Sequence, residues 1–70
     1  MSQKEWDDIE QAIANLLNKK VLKLKINNVK VKVKHNANGS FGTYLNGQWV
    51  TDDNNPKETF ALVKCLLMQQ

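Results

Sequence analysis

Arginine is absent from this 70-residue chain, cysteine and proline occur once each, and there are only three glycines and five aromatic residues. Each scarcity excludes something. A single cysteine, Cys65, rules out a disulfide framework and a cysteine-based zinc site. One proline and three glycines leave no room for a Pro-rich or Gly-rich linker, and no Gly-rich phosphate-binding loop occurs. No apolar run approaches the roughly 20 residues needed to cross a bilayer. The first residues, Met1-Ser2-Gln3-Lys4-Glu5, are polar and soon acidic, the wrong start for a secretory signal. These features lead to the expectation of a cytoplasmic protein. Its length makes one domain spanning 1–70, which buries only about 60% of the surface its unfolded chain exposes.

Lysine carries all the fixed positive charge. Ten lysines outweigh seven acids for a net charge of +3, and seven of the ten fall between Lys19 and Lys34, where no acid occurs. The acids stand apart, in Glu5, Asp7, Asp8 and Glu10 and again in Asp52, Asp53 and Glu58. Segregation of this kind marks a middle segment that faces a polyanion or is simply well solvated.

Hydrophobic periodicity supplies the fold. Trp6, Ile9, Ile13, Leu16 and Leu17 recur at helical spacing behind the capping-box pair Ser2 and Glu5, which predicts a helix over about 3–18. Acids in its first turns and Lys19-Lys20 at its end suit the helix dipole. The period then changes to two. Leu22, Leu24 and Ile26 alternate with Lys23 and Lys25. After Asn27-Asn28, Val29, Val31 and Val33 alternate with Lys30, Lys32 and Lys34. A two-residue turn at Asn27-Asn28 sets the register. It pairs Ile26 with Val29, Leu24 with Val31 and Leu22 with Val33 on a buried face. On the other face it pairs Lys25 with Lys30 and Lys23 with Lys32, with Lys34 at the open end.

Residues 35–40 read as a loop and Phe41 to Leu45 as a strand. Asn46-Gly47 is the strongest hairpin signal in the chain, with a return over Gln48 to Thr51. That register puts Phe41, Thr43, Leu45 and Val50 on one face and pairs Tyr44 with Trp49 on the other. A single long strand bent at Gly47 is the alternative. Asp52 to Asn55 reads as a polar linker. Asn54 or Asn55 then caps a second helix with Pro56 at its first position and Glu58 in its first turn. Ala61 to Met68 is apolar everywhere except Lys64, so this helix is expected to be covered on more than one side, between the sheet and the first helix. Any surplus apolar surface there would favour a homodimer through the C-terminal helix. The expected class is α+β: an N-terminal helix, an antiparallel meander of three to four strands and a C-terminal helix, both helices on one face of the sheet.

For function, the lysine ladder (Lys23, Lys25, Lys30, Lys32, Lys34) has two readings. Like charges opposite each other across strands destabilise a sheet, so their display implies a return, such as neutralising phosphates. Lysines also keep sheet surfaces soluble and unaggregated without any partner. Without arginine, the residue of bidentate guanine and phosphate recognition, a binding surface here would read backbone charge with little base specificity. Tyr44 and Trp49 either join the core or, beside the lysines, form a stacking platform for bases. His35 stands alone, without a second histidine or a nearby nucleophile, and Cys65 reads as a small core hydrophobe. No residues combine into a catalytic set, a metal site or a cofactor site.

The order helix, antiparallel strands, helix is similar to that of double-stranded-RNA-binding domains over most of the chain, as topology. That family carries a lysine cluster at the start of its second helix, where this sequence has Lys57 alone, and a longer first hairpin loop than Asn27-Asn28. The same order resembles mRNA-cleaving toxins of the HicA type, whose catalytic histidine lies near the first hairpin turn. His35 instead follows the second strand. The expectation from the residues is a small non-enzymatic module that binds nucleic-acid backbone through Lys23, Lys25, Lys30, Lys32, Lys34, Tyr44 and Trp49. The alternative is a small interaction or inhibitor protein, of the kind phages and mobile elements carry, docking on an acidic or apolar partner protein surface.

Overall fold

A computed structural model of the chain describes residues 1–69. Its elements are α1 (Gln3–Ala14), β1 (Val21–Ile26), β2 (Val29–His35), β3 (Phe41–Leu45), β4 (Gln48–Asp53) and α2 (Pro56–Met68). The four strands form one antiparallel meander in the order β1-β2-β3-β4. The expected α+β architecture is therefore present, with the sheet at its four-strand limit.

Both two-residue turns take the backbone their residues favour. Asn27 and Asn28 have φ of 51° and 66°, and Asn46 and Gly47 have φ of 50° and 86°. Positive φ at both central positions matches the twist of the flanking strands, which Asn and Gly accept at low cost. The second turn excludes the long bent strand. It is also tied back to the sheet, because the Asn46 side-chain oxygen accepts from the Lys30 backbone N–H at 3.1 Å.

The β1–β2 register is the one the alternation demands: Leu22 with Val33, Lys23 with Lys32, Leu24 with Val31, Lys25 with Lys30 and Ile26 with Val29. Val29, Val31 and Val33 join Ile9 and Ile13 of α1, Phe41 of β3, and Val63 and Leu67 of α2 in a single buried core. Leu22, Leu24 and Ile26 reach that core from the edge strand and stay half-exposed. Trp6 and Phe60 meet edge to face, centroids 6.3 Å apart, and lock the two helices together.

Four expectations need correcting. The first helix stops at Ala14, with Asn15 as its C-cap, so no lysine occupies its last turn and the Lys19-Lys20 dipole argument lapses. Lys19 has φ of 68°, and the segment after the helix is clipped to the end of β2 by Lys19 N–H to His35 carbonyl (2.7 Å) and His35 N–H to Lys20 carbonyl (3.0 Å). Leu17 thereby leaves the apolar stripe and is 70% exposed. Asp52 and Asp53 belong to β4 instead of a linker. Finally, α2 is not sandwiched between sheet and α1. The molecule measures 31 × 24 × 16 Å, and its short dimension accommodates one helix layer over the sheet. α2 buries Thr59, Val63 and Leu67, while Ala61, Cys65 and Met68 face outward, so Cys65 is not a core residue. A domain this small has no second layer to cover that side.

Candidate nucleic-acid interface

The face of the sheet without helices gathers every residue singled out for binding. Alternation along β1 and β2 puts Lys23, Lys25, Lys30, Lys32 and Lys34 there, opposite in parity to the buried valines. The ladder continues into β3, where Lys32 pairs with Tyr44 and Lys34 with Gly42, and into β4, where Tyr44 pairs with Trp49. One row thus crosses all four strands as Lys23, Lys32, Tyr44 and Trp49. Between the first two strands the lysines rim a groove of about 440 Å³, lined by Lys23, Leu24, Lys25, Lys30, Val31, Lys32 and Gly47.

The face is predominantly basic, with an acid, Asp52, at its far edge beside Trp49. The only ion pair among the described residues joins Lys4 to Asp8 on α1 at 3.9 Å, far from the ladder in sequence. Lys32 Nζ lies 4.4 Å from the centroid of the Tyr44 ring. This cation–π contact occupies the face of Tyr44 and leaves the lysine charge unneutralised. Trp49 is 60% exposed, so it is not core, and Tyr44 is half-buried beneath Lys32.

A β-bulge gives the face its far edge. Thr43 pairs with Thr51 while Tyr44 pairs with Trp49, so β4 carries one extra residue, Val50, at this point. Residues three apart on a regular strand point to opposite faces, but the insertion returns Asp52 to the side of Trp49. Trp49 Nε1–H accordingly donates to Asp52 Oδ1 at 2.9 Å. Val50, expected opposite Thr43, yields that place to Thr51. Gly42 is needed beneath this pair, since a Cβ there would stand 2.9 Å from Asp52 Oδ1.

The same slip turns Asp53 inward, opposite Phe41. Burial pushes its carboxyl above the ordinary aspartate value, with help from the charges of Glu58 and Asp52. Its Oδ2 has no hydrogen-bond partner among the described residues. Bulge and inward acid both escaped sequence reasoning; an Asp-Asp pair at a strand end, with the period broken at Val50-Thr51, was the available signal.

His35 is placed away from the lysine face. Its Nδ1 stands 2.8 Å from the Leu16 carbonyl, which can only accept, so Nδ1 carries the proton. The ring stacks on Phe41 with centroids 4.2 Å apart and planes 15° apart. The first contact pins the post-helix segment to the sheet, and the second joins β2 to β3. Among the described residues no three His, Cys, Asp or Glu side chains come together to hold a metal ion, and no helix is long and apolar enough to cross a membrane.

A scan against protein-family models finds no match, and searches of curated proteins and of solved structures likewise return none. The functional reading therefore rests on the geometry of this face.

Proposed function

We propose that the protein is a non-enzymatic binding module that holds nucleic-acid backbone on its helix-free sheet face, through Lys23, Lys25, Lys30, Lys32 and Lys34. One observation carries the reading: five lysines share a face on which, among the described residues, none has a carboxylate within 4.0 Å. Two directly opposed lysine pairs cost the sheet stability, and a phosphate chain laid along them would relieve the repulsion while releasing counterions. Lysine ammonium groups are point charges on flexible stems, suited to phosphates at varied positions and poor at reading base edges. Binding with little sequence preference follows.

The test is a titration of labelled oligonucleotides by fluorescence anisotropy at several salt concentrations. Affinity should fall with a log–log slope of about −3 to −5, the value for four to six phosphates neutralised. Absence of binding to single strands, duplex DNA and duplex RNA at low salt would refute the reading.

The outward row of α2 supports a second reading, contact with a protein partner. Ala61, Cys65 and Met68 are exposed, Met68 by 70%. Self-association through this row would give a homodimer with two lysine faces. Sedimentation equilibrium of the wild type beside Met68→Glu decides the homodimer: a monomer in both cases removes self-association through this row and leaves the lysine face untouched.

A further inference from the structure

The substrate class of this face can be narrowed, on the assumption that the face binds nucleic acid at all. We infer that its ligand is an extended single strand that runs across the four strands, stacking a base on Trp49 and laying phosphates over Lys32 and Lys23.

Trp49 is the first support. Its ring is 60% exposed and stands in the same cross-strand row as Lys32 and Lys23, so an aromatic face lies open beside the cationic ladder. Its indole N–H is already satisfied by Asp52 at 2.9 Å, so what it offers a ligand is its π-face. A π-face accepts any base, and stacking of this kind is the sequence-tolerant element of single-strand recognition. The hydrogen bond also holds the ring before binding, which lowers the ordering cost. Tyr44 is not a second platform, because Lys32 lies over its ring at 4.4 Å. It acts as the spacer that seats Lys32 between the stacking residue and the rest of the ladder.

Dimensions are the second support. From β4 to β1 is three strand spacings, about 14 Å at about 4.8 Å each. A duplex major groove is about 12 Å wide and admits a two-stranded ribbon, so a four-stranded face would meet a duplex only along its outer phosphates and leave Trp49 without a base. Bases within a duplex are also stacked on one another and closed to Trp49. A single strand meets neither obstacle. DNA and RNA share the chemistry used, a phosphate chain and an exposed base.

The experiment compares four probes of about ten nucleotides by anisotropy: oligothymidylate, oligouridylate, an abasic strand with the same phosphates, and a duplex. Wild type, Trp49→Ala and Trp49→Phe are titrated with each, after circular dichroism confirms that the variants are folded. Oligothymidylate or oligouridylate should bind wild type more tightly than the abasic strand and the duplex. Tighter binding of either one, or parity between them, supports the inference alike. Trp49→Ala should weaken single-strand binding by about 5- to 150-fold, the cost of losing one stacked base, with the salt slope unchanged. Trp49→Phe should keep most of the affinity. If Trp49→Ala binds like wild type, or the abasic strand or the duplex binds as tightly as the bases-bearing strands, the inference is overturned and the phosphate reading survives. If wild type binds no probe at low salt, both fall.

Discussion

Charge reversal on the edge strand puts the cost of the lysine ladder to measurement. Lys23 faces Lys32 and Lys25 faces Lys30, so the double variant Lys23→Glu, Lys25→Glu converts both like-charge pairs to opposite-charge pairs. Placing both changes on β1 spares the contact of Lys32 with Tyr44. Cross-strand charge pairs are worth roughly 0.2–1 kcal/mol each in either sense. Both strands' lysines are solvated, which keeps each pair near the lower end. Relief of two repulsions and gain of two attractions then amounts to about 1–2 kcal/mol. For a domain of this size each kcal/mol moves Tm by about 4–8 °C, so an upward shift of about 4–16 °C is expected at low salt. Thermal unfolding followed by far-ultraviolet circular dichroism supplies the measurement, at about 10 mM and about 1 M salt. The Debye length falls from about 30 Å to about 3 Å between these conditions, and most of the gain should vanish. The same variant removes two cationic contacts and takes the net charge from +3 to −1, two units per substitution. It should therefore bind oligonucleotides more weakly and with a shallower salt slope. A variant that is no more stable at low salt, or whose gain survives at high salt, refutes the reasoning that the ladder stores electrostatic repulsion. Higher stability with undiminished binding would show that the opposed pairs are not the contact surface.

Other outcomes follow from single sites. Ile13 is fully buried at the junction of α1 and the sheet, so Ile13→Ala should cost about 2–5 kcal/mol, read as a lower midpoint in urea, and an unchanged midpoint would contradict the core assignment. Asn55 caps α2 by accepting from the Glu58 N–H at 2.9 Å, and Asn55→Ala should cost about 1 kcal/mol in the same assay. Gly42→Ala would push Asp52 off the Trp49 indole; in a Trp6→Phe background the emission of Trp49 should shift, with the fold retained by circular dichroism. Asp53 has a folded-state pKa raised above 3.8, so between these values the folded state binds more protons than the unfolded chain and stability falls as pH rises. Asp53→Asn should lack that decline, and its advantage over wild type at neutral pH should disappear as pH falls through the raised value toward 3.8; parallel stability curves would refute it.

The sequence by itself determined the local order. The change of period from 3.6 to 2 located the first helix and the first hairpin. Asn27-Asn28 fixed a register that holds residue by residue, because one slip would have exposed three valines and buried three lysines. Asn46-Gly47 and the pair Asn55-Pro56 set the second hairpin and the start of α2 by turn and cap chemistry alone. Three features needed the tertiary structure. The first helix ends at Ala14 because its continuation is captured by the backbone of β2 through Lys19, Lys20 and His35, a contact between residues far apart in sequence that outweighs the helical spacing of Leu16 and Leu17. The outer row of α2 stays open because a chain of this length builds only one helix layer. The bulge at Val50 decided the rest, carrying Asp52 to Trp49 and the half-buried Asp53 to the side of Phe41. Alternation can predict a face only while the strand keeps its count, and one inserted residue reassigned every side chain beyond it.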